Sequence, residues 1–346
     1  MIEVKNLTKK YGLNTAVKDL SFTIEKGGIC GFLGPNGAGK STTMNIITGC
    51  LAANEGSVTI GGYDITDEPL KAKKLIGYLP ENPPLYNDMS VKEYLTFVAR
   101  AKKIPKSDIP SAIEYVMNRT SIFDVKDRLS ANLSKGYRQR VGIAQAMLGD
   151  PEVIILDEPT VGLDPKQIIE IRELISELGK NHTVILSSHI LSEIQEVCDR
   201  AVIIANGRVV AVDSMDTLRG MGNNNPVLHI IAKTEPSVAM DIVDTFEEVS
   251  HYAITECNDG TDMELTLFGD CDIREKLYFA FSNAGIALLE ISMKVQSFEE
   301  IYLKLTELTP DDEYIEEEVQ ENDENTDEGE EYIPVFGKED NDDSDI

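Results

Sequence analysis

The 346-residue chain is 42% hydrophobic, enough to bury the core of one large domain and a smaller one. Its 32 basic and 61 acidic residues give a formal charge of −29. Such a balance excludes a broad basic surface for nucleic acid, which is not expected as a partner.

The N-terminal run MIEVKNLTKK lacks the apolar core of a signal peptide, and no stretch reaches the ~18 apolar residues of a membrane span. A cytoplasmic protein is expected, one that meets a membrane only through a partner. Residues 1–218 alternate short β-rich runs with helical patterns, which predicts α/β architecture with a mainly parallel sheet covered by helices. In KKYGLNTAV, Tyr11 precedes a turn, where it can be exposed for stacking or half-buried. GICGFL (28–33) reads as a buried strand, GPNGAGKST (34–42) as a glycine-rich loop, and STTMNIITGCL as the helix it opens. The five cysteines are scattered with no CxxC pair, so neither a disulfide framework nor a zinc site is expected. Cys30 and Cys50 sit in apolar contexts, as buried thiols do.

After IGYLPENPPLY (76–86), Ser90 and Glu93 form a capping-box pattern, and a helical subdomain is expected over about 89–149. LSKGYRQR (133–140) opens a long helix that Ser134 can cap, and VIILDEP (153–159) is a buried strand ending in two acids. MGNNNP (221–226) marks a linker. Beyond it, strands at 227–232, 251–257, 263–268 and 286–293 and helices at 237–249, 272–285 and 297–308 follow the β-α-β-β-α-β order of a small ferredoxin-like α+β domain, 227–308. Residues 310–346 hold 18 acids and one Lys, a net of −17, which leaves −12 for the rest. The 309–346 segment is expected to be a disordered acidic tail, with YIPVF (332–336) its one apolar cluster.

Gly34, Pro35, Asn36, Gly37, Ala38, Gly39, Lys40, Ser41 and Thr42 fit the phosphate-loop pattern between a strand and a helix. Backbone N–H groups there can converge on phosphate oxygens, aided by the helix N-terminus. Lys40 would bind the β- and γ-phosphates of ATP, and Ser41 would hold Mg²⁺. Asp157 falls at the C-terminal end of a parallel strand, where ligands bind in open α/β sheets, and can position Mg²⁺ through its water shell. Glu158 could polarise an attacking water.

A phosphate loop followed by LSKGYRQR, VIILDEP, GLDP (162–165) and VILSSHIL resembles the ATP-binding-cassette (ABC) family over about residues 1–215. Lys135 and Tyr137 replace the glycine and glutamine usual in that family's signature. The resemblance implies a P-loop NTPase cassette: a RecA-like core with an antiparallel β and a helical subdomain, spanning 1–218. It places Tyr11 against adenine, makes His189 a switch histidine at the γ-phosphate, and puts Glu81 in the place of the glutamine that couples nucleotide to a membrane subunit, near Mg²⁺. It further implies a head-to-tail dimer, homodimeric or with a second cassette. In that dimer Ser134 and Gly136 of one protomer face the nucleotide held by the other's phosphate loop, Asp157, Glu158 and His189. The function it implies is the ATPase subunit of a bacterial export-type transporter, with an integral-membrane permease on another chain and a peripheral location at the inner face of the cell membrane. A soluble regulatory cassette and a slow ATP-gated binding module are the alternatives.

Overall fold

The computed structural model describes residues 1–220, 226–257, 260–268, 271–294 and 297–307. The acidic run, YIPVF and most of the linker expected at 221–226 lie outside the described residues. In chain order the elements are β1 (Ile2–Tyr11), β2 (Asn14–Ile24), β3 (Gly28–Leu33), α1 (Lys40–Ile47), β4 (Glu55–Ile60), β5 (Tyr63–Asp64), α2 (Pro69–Lys74), β6 (Ile76–Leu79), α3 (Val91–Ala101), α4 (Ile109–Arg119), α5 (Lys135–Met147), β7 (Val153–Asp157), α6 (Pro165–Gly179), β8 (Thr183–Ser187), α7 (Leu191–Val197), β9 (Arg200–Ala205), β10 (Arg208–Ser214) and α8 (Met215–Gly220).

They build two sheets. One is antiparallel, of order β2-β1-β4-β5; the other, of order β10-β9-β3-β8-β7-β6, is parallel except for the edge strand β10. The parallel strands read as continuous apolar runs because both of their faces are covered. In β3, Ile29 and Leu33 enter the core beneath the helices, whereas Cys30 and Phe32 enter the core shared with the antiparallel sheet, where Phe32 lies 5.7 Å from the Phe22 ring. β7 divides the same way, Ile154 and Leu156 to one side and Val153 and Ile155 to the other. Burial pushes the Cys30 thiol up to about 12. Cys50, expected to be buried, is exposed, because it follows the turn at Gly49 after α1 rather than extending the helix.

Local chemistry sets the helix starts. Ser90 and Glu93 form a reciprocal capping box on α3, and Asp164 accepts from the Gln167 N–H (3.0 Å) with Pro165 in the first turn of α6. Buried Ile171, Leu174, Ile175 and Leu178 then give α6 one apolar face. The C-terminal end of α5 is capped from outside, by a lysine that follows α3. Lys102 Nζ donates to the carbonyls of Gln145 (3.1 Å), Ala146 (3.1 Å) and Leu148 (2.7 Å), which have no partner within the helix.

The chain continues through β11 (Val227–Ala232), α9 (Pro236–Val243), β12 (Val249–Cys257), β13 (Gly260–Leu267), α10 (Arg274–Asn283), β14 (Leu288–Lys294) and α11 (Phe298–Glu307). These four strands form an antiparallel sheet of order β12-β13-β11-β14 over a core that includes Leu228, Ile230, Leu277 and Phe281. The helix expected over 237–249 is shorter. It stops at Val243, the turn at Thr245 and Phe246 bonds back to Ile242 and Val243, and Val249 already pairs with Leu267. Phe298 of α11 joins the core beneath the cassette helices.

Burial pushes the Lys102 ammonium down to about 8. Lys102→Met should lower the unfolding free energy by about 1–3 kcal/mol at neutral pH by orphaning three carbonyls. With a folded pKa below the unfolded one, a further, protonation-linked part of the lysine's contribution is fully present above the unfolded value of 10.5 and lost as pH falls through about 8. Denaturant titrations should therefore show the gap between wild type and variant widening as pH rises from 8 towards 10.5.

Candidate functional site

The loop from Gly34 to Gly39 joins the C-terminal end of β3 to the N-terminus of α1. Ala38 N–H bonds to the Pro35 carbonyl (3.2 Å), which curls the loop, and Gly39 adopts φ +100° as it enters the helix. A Cβ on Gly39 would lie 2.7 Å from the Ala16 carbonyl of β2, and one on Gly34 would collide with the Ile204 carbonyl. Only glycine permits this close approach of backbone to backbone. Lys40, the first residue of α1, folds back to donate to the Gly34 (2.6 Å) and Pro35 (3.1 Å) carbonyls. Burial lowers its pKa, and the carboxylates of Glu158 and Asp157 oppose that shift. Ser41 is exposed in the first turn beside it.

β7 and β8 run parallel with Asp157 opposite Ser187. The strand ends thus bring the two acids and His189 together. Glu158 turns out of the sheet at φ +49°, a left-handed conformation for a non-glycine residue, and its N–H bonds to the Ser187 carbonyl (3.1 Å). His189 Nδ1 lies 2.8 Å from Glu158 Oε2. Burial raises the Glu158 pKa, against the lowering influence of His189. Asp157 is 4% exposed, and its Oδ1 has no hydrogen-bond partner. Burial raises its pKa too, and the Glu81 carboxylate adds to the rise. An orphaned buried carboxylate oxygen at this strand end fits a hard cation. Among the described residues no cluster of three or more His, Cys, Asp or Glu could hold a metal by itself. That suits Mg²⁺, which takes one or two protein ligands and completes its shell with phosphate oxygens and water.

The remaining expected residues stand apart. Tyr11 ends β1 at a hairpin tip, 50% exposed, with Lys9 Nζ 5.5 Å from its ring centre. Ser134 caps α5 by accepting from the Tyr137 N–H (3.4 Å). Gly136 is buried so tightly against α6 that a Cβ would sit 2.7 Å from Gln167 Oε1. Among the described residues, no hydrogen bond of Ser134 or Gly136 reaches the phosphate loop. The two unusual signature residues have local partners: Tyr137 donates to Asp124 (3.1 Å), and Lys135 lies against Gly162 in the loop after β7. Arg138 ties this helix to the segment after Glu81, donating to Asn87 Oδ1 (3.2 Å) and the Ser130 carbonyl (3.0 Å).

Sequence reasoning passed over Glu193. This α7 carboxylate is 2% exposed and accepts from Thr160 Oγ1 (2.6 Å) and Ser188 Oγ (3.0 Å), stapling the loop after Glu158 to the residue before His189. In LSEIQEV it reads like any solvent-facing helix acid; its spacing from His189, one helical turn on, was the only available signal.

Residues 17–161 match the family described as ABC transporter. The chain is 36% identical over 310 residues to the uncharacterized ABC transporter ATP-binding protein YhcH of Bacillus subtilis (strain 168), covering 88% of this chain and 96% of the relative. It is 33% identical over 307 residues to the bacitracin transport ATP-binding protein BcrA of Bacillus licheniformis, covering 88% and 97%. It is 32% identical over 315 residues to the linearmycin resistance ATP-binding protein LnrL of Bacillus subtilis (strain 168), covering 88% and 98%. A solved ATP-binding subunit of an ABC transporter is 33% identical, with a TM-score of 0.59 over 64% of this chain and 92% of that one. The dimeric post-hydrolysis state of the ATP-binding cassette MJ0796 bound to ADP and Pi is 25% identical, with a TM-score of 0.57 over 62% and 99%. A phosphate loop facing a strand-end acid pair, on a sheet shared with these cassettes, is what such likeness requires: the chain belongs to the ATP-binding proteins of ABC transporters and is an ATP-binding P-loop ATPase.

Proposed function

We propose that the chain works as the ATP-hydrolysing subunit of an export-type transporter, closing with a second cassette on ATP and driving a permease carried on another chain. The observation that carries this is the Glu158–His189 contact at 2.8 Å beside Lys40. It sets a base, an orienting imidazole and a phosphate-binding cation at one strand-end cleft. Names of relatives such as the bacitracin transport and linearmycin resistance proteins support export. The dimeric cassette among the similar structures supports pairing of two copies. No helix among the described residues is long and apolar enough to cross a membrane, which agrees with a peripheral place at the inner face of the cell membrane, through a permease.

In this reading the loop N–H groups from Gly34 to Thr42 and Lys40 Nζ hold the phosphates, with Tyr11 against adenine. Lys40 must leave the Gly34 and Pro35 carbonyls to do so, exchanging neutral acceptors for charged ones. Ser41, Asp157 and Glu81 would hold Mg²⁺, which would supply positive charge to offset that of the phosphates. Glu158 takes a proton from the attacking water; its raised pKa makes it a stronger base than an exposed carboxylate. His189 Nδ1 holds that carboxylate in place, and Nε2 on the far side of the ring, as the second N–H of an imidazolium, would donate to a γ-phosphate oxygen. Ser134, Gly136 and the N-terminus of α5 serve the nucleotide held by the other protomer; within one chain Ser134 accepts from Tyr137, Gly136 packs on Gln167 and Lys135 lies against Gly162. Binding that favours the closed pair and hydrolysis that relaxes it turn chemistry into motion.

The proposed division is a cassette at 1–218 with its helical subdomain over about 89–149, a ferredoxin-like domain at 227–308 supported by the β12-β13-β11-β14 order, and an acidic tail from 309. The Lys135, Tyr137 and Glu81 departures favour one competing reading, a gate that turns over slowly.

Glu158→Gln should keep ATP binding and lower the hydrolysis rate by about 10²–10⁴-fold. Equal, near-zero rates in variant and wild type would favour the gate. Purification in detergent should recover the chain with a multi-span partner, and recovery only as a free monomer would count against the transporter reading. Glu81→Gln should retain hydrolysis, because an amide oxygen can still face Mg²⁺; complete loss would refute the role given to this position. Glu193→Leu should lower kcat while leaving ATP affinity within about twofold, since it loosens the Glu158 and His189 loops without touching the phosphate loop.

A further inference from the structure

We propose that the cavity between α3 and α4 binds an amphiphilic anion, a phosphate- or carboxylate-headed molecule with an apolar body. The cavity measures about 510 Å³ and is lined by residues of α3, α4, the segment between them and the turn that follows α4. That is the size of a small-molecule site, for which ~300–1,000 Å³ is usual.

Its charge runs against the rest of the molecule. Lys92, Arg100, Lys106 and Lys126 line it with a single carboxylate, Glu114, in a chain where acids outnumber bases 61 to 32. Lys92, Thr96 and Arg100 follow one another at four-residue spacing and so share a side of α3. Among the described residues, Lys92, Arg100 and Lys106 make no side-chain hydrogen bond or ion pair, although surface carboxylates abound. Lys126 lies over the Phe123 ring, 4.0 Å from its centre. Unpaired cations converging on a concavity repel one another, and an anionic ligand relieves that repulsion through charge-assisted hydrogen bonds.

The floor is apolar. Ile109, Ile113 and Met117 present one face of α4 and are each under 10% exposed, while Phe123 is 40% exposed at the edge. A bare inorganic anion would leave this floor wet, so the ligand carries hydrocarbon as well as charge. A different side of α3 bears Tyr94 and Phe97, which pack edge-on against Tyr86 at 6.2 and 5.4 Å. The basic cavity is thus separate from the loop that leads out of the nucleotide cleft.

Such a ligand could be a free molecule or a lipid headgroup with its acyl chain. Calorimetric titration of the full chain with decyl phosphate below its micelle concentration, against decyl glucoside as the uncharged control, tests the chemistry. Sedimentation with phosphatidylglycerol or phosphatidylcholine vesicles tests the source. One-to-one binding of decyl phosphate that weakens at least about tenfold in the Lys92→Glu/Arg100→Glu variant and tightens in Glu114→Lys is the expected result, with melting temperatures unchanged. Sedimentation with phosphatidylglycerol alone, lost in the double variant, would assign the lipid source, and calorimetric binding without sedimentation the free molecule. No binding in either format, equal affinity for decyl glucoside, or indifference to the charge reversals would overturn the proposal.

Discussion

The parallel register of β7 and β8 is the constraint on which the site depends. With Asp157 opposite Ser187, both strands end at the same height, and the residues just beyond them must meet. Glu158 bonds through its N–H to the Ser187 carbonyl, and its carboxylate then reaches His189 at 2.8 Å. A slip of one residue would exchange the faces of every side chain on the strand and carry Asp157 out of the cleft. The left-handed backbone at Glu158, which costs an L-residue about 1–2 kcal/mol, is tolerated because the fully buried strands on either side of the turn leave it little freedom. Glu193 closes the arrangement from below, one buried carboxylate gripping both loops.

Much of this was legible in the sequence, and the reason is local. GPNGAGKST dictates its own shape: glycines where a Cβ would strike Ala16 or Ile204, and a lysine opening a helix. VIILDEP could be recognised as a buried strand with acids at its end because parallel strands covered on both faces admit nothing polar before that end. Ser134 and Ser90 cap the helices expected of them. What escaped was whatever needed a partner distant in the chain. Lys102 looks like a surface lysine until its contact with the end of α5, more than forty residues on, is known. Cys50 looks buried until the turn after α1 is seen to expose it. The α9 boundary was misread because FEEV continues a helical pattern, yet pairing of Val249 with Leu267 rewards strand more than propensity rewards helix.

The departures from the family's signature become intelligible once their contacts are known. Tyr137 is held by Asp124, and Lys135 extends along the loop at Gly162, so neither side chain is engaged with the phosphate loop of its own chain. Gly136 keeps its place for steric reasons, with Gln167 filling the volume a side chain would need. Signature helix and post-β7 loop are therefore in direct contact within one protomer.

Glu81 adds negative charge to the electrostatics around Asp157. Burial raises the Asp157 pKa, and the Glu81 carboxylate raises it further. Lys40 is the nearest compensating charge, and burial weakens its own hold on a proton. Asp157 and Glu158 beside one partly desolvated lysine leave the cleft short of positive charge. In the proposed function a divalent cation arriving with a nucleotide would supply that deficit, and the phosphates would bring their negative charge to the lysine and to the α1 N-terminus. On that proposal the cation and the phosphates would each favour binding of the other, which would tie affinity for one to the presence of the other.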